Sequence, residues 1–153
     1  MKSYHGEFQL VAPLETVWKF VTDPNRIGCS MPDVVAYTVQ DPCHLTAKVR
    51  AGVGPVRAVL DMAIELSGDL AQRSAEMTVQ GSGMGNGVQM QTTMSLTTHH
   101  GPEPETTLHW QANVTVSGAL AALGSRVLDN QVKKITEKVF DNIRQGIAEG
   151  VTI

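Results

Sequence analysis

The chain has 153 residues, 42% hydrophobic and 18% charged, with a formal net charge of −3; that is the length of one domain, 1–153, with one sizeable core. Acidic and basic residues are mixed along the sequence, so it carries no electrostatic footprint for nucleic acid. No segment approaches the ~20 apolar residues needed to span a bilayer, and Met1 to Glu7 has no apolar run of a signal peptide, so a cytoplasmic protein is expected.

Ser3 to Val11 reads as a first strand. Pro13 then stands where a helix tolerates proline, in its first turn, and Val17, Trp18, Phe20 and Val21 form the apolar stripe of a short helix. Asp23-Pro24 offers a cap and a first-turn proline for a second short helix, which the Gly28 to Pro32 region should end. From Val34 to Ser117 the apolar period is two, which predicts an antiparallel meander. Leu45, Ala47, Val49, Ala51 and Val53 share one face; after the Gly54-Pro55 punctuation, Val56, Ala58, Leu60, Met62, Ile64 and Leu66 continue it, opposite Arg57, Asp61 and Glu65. Ala75, Met77 and Val79 follow, then Val88, Met90, Met94 and Leu96, and last Leu108, Trp110, Ala112, Val114 and Val116. Gly68-Asp69 and the His99 to Glu105 region supply turns.

After Ser117-Gly118 the period becomes helical, from Leu120, Leu123, Val127 and Leu128 to Ile143 and Ile147, predicting one helix from about Ala119 to Ala148, roughly 45 Å long. Asp129 with Lys133, and Lys133 with Glu137, are expected as pairs on its solvated face. The order strand, two short helices, strands, long helix is an α+β layout in which the sheet buries its apolar face against the last helix. A sheet of this width curls, so a straight helix laid across it leaves room for a cavity.

No nucleophile, base and orienting group can be nominated from spacing, and the five histidines fit no template. His99, His100 and His109 are expected at the surface rather than on a metal, and no cofactor is implied. Cys29 and Cys43 lack the spacing of a zinc or redox motif and are expected as free, buried thiols in a reducing compartment. The run Gly81 to Gly87 lies between antiparallel strands and lacks the lysine of a phosphate loop; it reads as a hairpin, or as a lip over a cavity mouth. Met62, Met77, Met90 and Met94 share the inferred inner face, with Met31 and Met84 in connections that rim it. Methionines fill gaps in a dry core or line a cavity, and the small Ala47, Ala51, Ala58 and Ala112 beside them favour the cavity. The candidate ligand-binding set is Trp18, Met31, Met62, Met77, Met90, Met94, Trp110, Leu120, Leu123 and Val127.

Val11-Ala12-Pro13, Val17-Trp18-Lys19-Phe20, Asp23-Pro24, Cys29 before Met31-Pro32, Gly54-Pro55-Val56 with Ala58, and the glycines Gly81, Gly83 and Gly85 form one pattern. The block Thr107-Leu108, Trp110-Gln111-Ala112, Val116 to Ala121 and Leu123-Gly124-Ser125-Arg126 completes it. On these residues the sequence resembles the carbon monoxide dehydrogenase CoxG family, a branch of the polyketide cyclase/START-like (SRPBCC) superfamily. The resemblance covers nearly the whole chain and implies the helix-grip fold. It further implies a non-enzymatic accessory protein that holds a hydrophobic small molecule, a lipid or quinone, and meets a molybdenum hydroxylase such as carbon monoxide dehydrogenase. Asp33 departs from the glycine that usually follows the family's proline, and the sequence stops at Ile153, short of the tail some members use to reach a membrane. Peripheral contact with the inner membrane face stays open, as do two other readings: a small cyclase or hydrolase on the same fold, and an assembly protein acting only through its surface.

Overall fold

The structure, a computed structural model, describes residues 2–53, 56–99 and 101–150. The Gly54-Pro55 punctuation and His100 lie outside the described residues, as do the side chains of Val53 and Val56. Strand β1 (Lys2–Leu10) leads into α1 (Leu14–Val21) and α2 (Pro24–Ser30). Six strands follow: β2 (Val34–Asp41), β3 (His44–Val53), β4 (Val56–Asp69), β5 (Ser74–Gly83), β6 (Asn86–His99) and β7 (Glu105–Ser117). A 3-10 turn (Gly118–Leu123) and α3 (Ser125–Gly150) end the chain.

The expected caps form, with one shift. Pro13 precedes α1, and its carbonyl accepts from the Thr16 and Val17 amides at 3.1 and 3.2 Å. Asp23 caps α2 by accepting from the Asn25 amide at 2.9 Å, with Pro24 at the first helical position, where its missing N–H costs nothing.

All seven strands make one antiparallel sheet in the order β1-β7-β6-β5-β4-β3-β2. The strand parity read from the alternation holds: Leu60, Ile64 and Leu66 are buried, whereas Arg57, Asp61 and Glu65 are exposed. Two turns differ from the expectation. Strand β4 runs through Gly68-Asp69, and the chain reverses over the next four residues, where Arg73 takes φ 54°. The β5–β6 reversal uses Met84 (φ 52°) and Gly85 (φ 80°); left-handed conformation at both residues is the two-residue turn whose twist suits a hairpin.

The long helix starts later than its apolar period implies. Residues Gly118–Leu123 wind as a separate 3-10 turn, and Gly124, at φ 88°, breaks the axis before α3 begins at Ser125. The 26 residues of α3 span about 39 Å. Its C-terminal half packs hard: Phe140 stacks on Phe8 with ring centroids 3.6 Å apart, and Gly146 leaves no room for a side chain beside Phe20. The Asn142 amide donates to the Ser30 carbonyl at 3.0 Å and ties α3 to the end of α2. The N-terminal half is looser, with Val127 37% and Ile135 41% exposed.

The apolar interior is therefore divided in two. One cluster joins β1, α1, β6, β7 and the C-terminal half of α3 around Val17, Leu108, Phe140 and Ile143. The other, Leu45, Ile64, Leu66 and Val79, lies on β3 to β5 and has Ile27 and Met31 of the α2 region packed against it.

Candidate functional site

Glycine in mid-strand usually marks a close approach by another group. Gly6 of β1 lies opposite Trp110 of β7, and the indole folds across it: a Cβ on Gly6 would sit 2.9 Å from Trp110 Nε1. Beside this pair the edge of the sheet and α3 stand apart, leaving a groove of about 420 Å3. Tyr4, Gly6, Phe8 and Trp110 line one wall; Asp129, Val132, Lys133 and Thr136 line the other. Trp110 Nε1 is buried with no hydrogen-bond partner among the described residues, an arrangement that typically costs about 1–3 kcal/mol.

Asp129 pins the open end of this groove. The Tyr4 hydroxyl donates to its carboxylate at 2.7 Å, and Lys2 Nζ lies 3.1 Å from it. Asp129 thus reaches across to β1, which corrects the expectation that it pairs with Lys133 on a solvated helix face. Bonds from Tyr4 and Lys2 hold the Asp129 carboxyl below its usual range. Burial, and then the hydrogen bond to Asp129, push the Tyr4 phenol up to about 12. A folded-state pKa above the ordinary 10 means that the tie stabilises the protein fully below pH ~10 and is lost as pH rises through about 12. In an ultraviolet titration, Tyr4 should remain protonated at pH 11, and Asp129→Asn should lower its midpoint. An unchanged midpoint would show that the tie does not form.

The second apolar region carries the methionines. Met31, Met62, Met77 and Met90 are half-buried against the Leu45, Ile64, Leu66 and Val79 cluster. Met94, Trp18 and Trp110 instead pack against the first cluster, and Trp18 lies over Gly68 with ring atoms 3.1 Å from where its Cβ would be. Leu120 is buried in the 3-10 turn, Leu123 is half-buried and Val127 faces outward. The ten candidate residues are thus spread over two neighbouring walls and the turn beside them. Tyr4, Phe8, Val132 and Thr136 of the groove escaped sequence reasoning; the one signal was a glycine inside an alternating strand. Thr92, 7% exposed, also falls on the inner face, between Met90 and Met94.

The glycine run has a packing role. A Cβ on Gly83 would lie 2.2 Å from the Val59 carbonyl oxygen, and one on Gly118 would meet the Gly85 carbonyl oxygen at 1.9 Å. Asn86 locks the assembly: its side chain accepts from the Leu120 amide at 3.1 Å and donates to the Met84 carbonyl at 3.3 Å.

Both cysteines are free, but exposed rather than buried. Cys29 sits outward on a helix too short to cover both faces, its sulfur 3.1 Å from the Tyr37 hydroxyl, while Cys43 lies in the β2–β3 turn. That contact with Cys29 is the main cause that raises the Tyr37 phenol above its ordinary value. Among the described residues, no group of three or more His, Cys, Asp and Glu side chains could hold a metal. His99 Nε2 lies 2.5 Å from Thr107 Oγ1, and His109 Nδ1 lies 3.3 Å from Glu7. No described helix is long and apolar enough to cross a membrane.

Several solved structures share this architecture. A conserved protein from Geobacillus kaustophilus matches with TM-score 0.85 at 24% identity, covering 97% of this chain and 96% of that one. A START superfamily protein from Mycobacterium smegmatis gives 0.68 at 13% identity, covering 96% and 97%. The Zhui aromatase/cyclase from Streptomyces sp. R1128 gives 0.64 at 11% identity, covering 97% and 96%. A curved antiparallel sheet, two short helices after β1 and a long C-terminal helix with such neighbours define a START-like, helix-grip protein. The family model for the CoxG component of carbon monoxide dehydrogenase matches residues 6–148, and the chain belongs to that family. A search of curated proteins finds no match.

Proposed function

We propose that this protein is a non-enzymatic carrier that holds an apolar molecule, a lipid or an isoprenoid quinone, between sheet and helix, and serves a molybdenum hydroxylase of the carbon monoxide dehydrogenase type as an accessory. The observation that carries the reading is that apolar side chains on both walls stay uncovered. Met62, Met77 and Met90 on the sheet, and Leu128, Val132 and Ile135 on α3, are only partly buried or exposed in an otherwise well-packed domain. Flexible thioethers conform to varied apolar shapes, which suits a ligand better than a fixed core does. The partner class follows from family membership, and the apolar ligand class from the START-like fold.

Energetics permit such binding without a dedicated polar contact. Burial contributes about 0.8 kcal/mol per methylene, so ten carbons give roughly 8 kcal/mol, within the range of the cost of association. Selectivity among apolar chains is then low.

Trp110 borders the groove and reports on it. With Trp18→Phe removing the other indole, a water-soluble short-chain quinone is expected to quench Trp110 fluorescence saturably, and a fatty acid is expected to compete. Saturable binding of neither, together with a ligand-free mass under native conditions, would leave the surface-only reading in its place.

A further inference from the structure

One end of the molecule gathers exposed apolar and cationic groups. Met84, at the tip of the β5–β6 hairpin, is 74% exposed. Its φ of 52° is a conformation in which asparagine or glycine would sit without strain, so neither burial nor backbone geometry accounts for a methionine there. The 3-10 turn packs against this tip through Gly118 and Gly85, and its Ala119, Ala121 and Ala122 are exposed as well. Between Met84 and the β3–β4 hairpin lies a cleft of about 440 Å3, lined by Arg50, Arg57, Val59 and Asp33.

The electrostatics of this end run against those of the whole chain. On a protein of net charge −3, Arg50, Arg57 and Arg126 meet one carboxylate outside an ion pair, Asp33, while Lys2 and Asp129 offset each other at 3.1 Å. Arg126 stands in the first turn of α3, which has no acidic residue, so its charge adds to the positive end of the helix dipole. The carboxylates of Asp41, Asp69 and Glu103 lie in or beside the connections at the opposite end of the strands. The charge distribution is therefore polar along the strand direction.

We propose that the Met84 hairpin tip and the adjoining 3-10 turn form a docking surface for an anionic lipid bilayer. A protruding methionine on a narrow hairpin, flanked by small alanines, is a convex feature. It enters a fluid headgroup layer more readily than it matches the shaped surface of a protein. Three arginines behind it complement anionic headgroups. This deepens the carrier reading by naming the source of the cargo, since α3 opens its least buried stretch, from Val127 to Ile135, at the same end.

The test is co-sedimentation of the full chain with vesicles of phosphatidylcholine alone and of phosphatidylcholine mixed with phosphatidylglycerol, without added cargo. Binding is expected to the mixed vesicles and to fall with salt. Arg50→Gln and Arg126→Gln are each expected to weaken it about fivefold, the effect of one cation near an anionic surface. Met84→Glu should weaken it at least as much, whereas Lys138→Gln, far along α3, should leave it unchanged. All four positions are exposed, so circular dichroism should show native folding throughout. Absence of binding to the mixed vesicles overturns the proposal, as does an equal loss with Lys138→Gln or indifference to Met84→Glu. Capture of a protein through these residues without vesicle binding also overturns it. Quinone titration in vesicle-free solution reads the carrier function separately, so either idea can fail while the other stands.

Discussion

Gly118→Ala is expected to destabilise the protein by about 3 kcal/mol and lower its melting temperature by roughly 6–12 °C. Two costs combine at this position. Gly118 has φ 76°, where an L-residue loses about 1–2 kcal/mol. Its new Cβ would also lie 1.9 Å from the Gly85 carbonyl oxygen and 3.1 Å from Asn86 Cα, both backbone atoms of a tight hairpin that cannot swing aside. Relief would require lifting the 3-10 turn from the hairpin, which breaks the bond from the Leu120 amide to Asn86. Gly124→Ala is the matched control. It has a similar φ of 88° but open space around the Cβ position, so only the backbone cost of about 1–2 kcal/mol applies. Thermal unfolding of the two variants separates strain from packing; equal losses would mean that turn and hairpin do not meet as described.

The same position shows where sequence reasoning stopped. Leu120, Leu123, Val127 and Leu128 fit a helical period, and periodicity cannot tell a 3-10 turn followed by a break from the first turns of a longer helix. The glycine at 124 was the better signal, since its left-handed φ interrupts the axis. Strand parity was legible throughout β3 to β7 because one face is buried, and a one-residue slip would expose Leu45, Ile64 and Leu108 together. Asp23-Pro24 was legible because capping is local chemistry.

The groove was not legible, because its walls are brought together by pairings of residues more than a hundred positions apart. Lys2 and Tyr4 meet Asp129, Gly6 meets Trp110, and Phe8 meets Phe140. Such contacts follow from β1 closing the sheet beside β7, the last strand formed, which no window of sequence contains. The inner-facing methionines were found from alternation alone, but their division between two clusters depends on how far along the sheet α3 makes firm contact.

That division leads to the second large effect. Leu108→Ala is expected to cost about 3–5 kcal/mol and to lower the melting temperature by roughly 6–15 °C. Leu108 is 0% exposed on the central β7, paired in register with Phe8 on one side and Leu96 on the other. The surrounding Val17, Leu96 and Ile143 are themselves fully packed, so the site cannot collapse and the removed methyl groups leave a cavity. Met90→Ala removes a side chain of similar bulk from β6, yet it should cost only about 1 kcal/mol, because that side chain is half-buried and gives up fewer contacts. Binding should show the reverse order: Met90→Ala alters quinone or fatty-acid affinity measured at Trp110, while Leu108→Ala, assayed below its melting temperature, leaves it near wild type. Denaturant unfolding of both variants, followed by ligand titration, checks the two halves. If Met90→Ala proved as destabilising as Leu108→Ala and had no effect on binding, the methionine wall would be ordinary core, and the interior would have no adaptable side to offer a ligand.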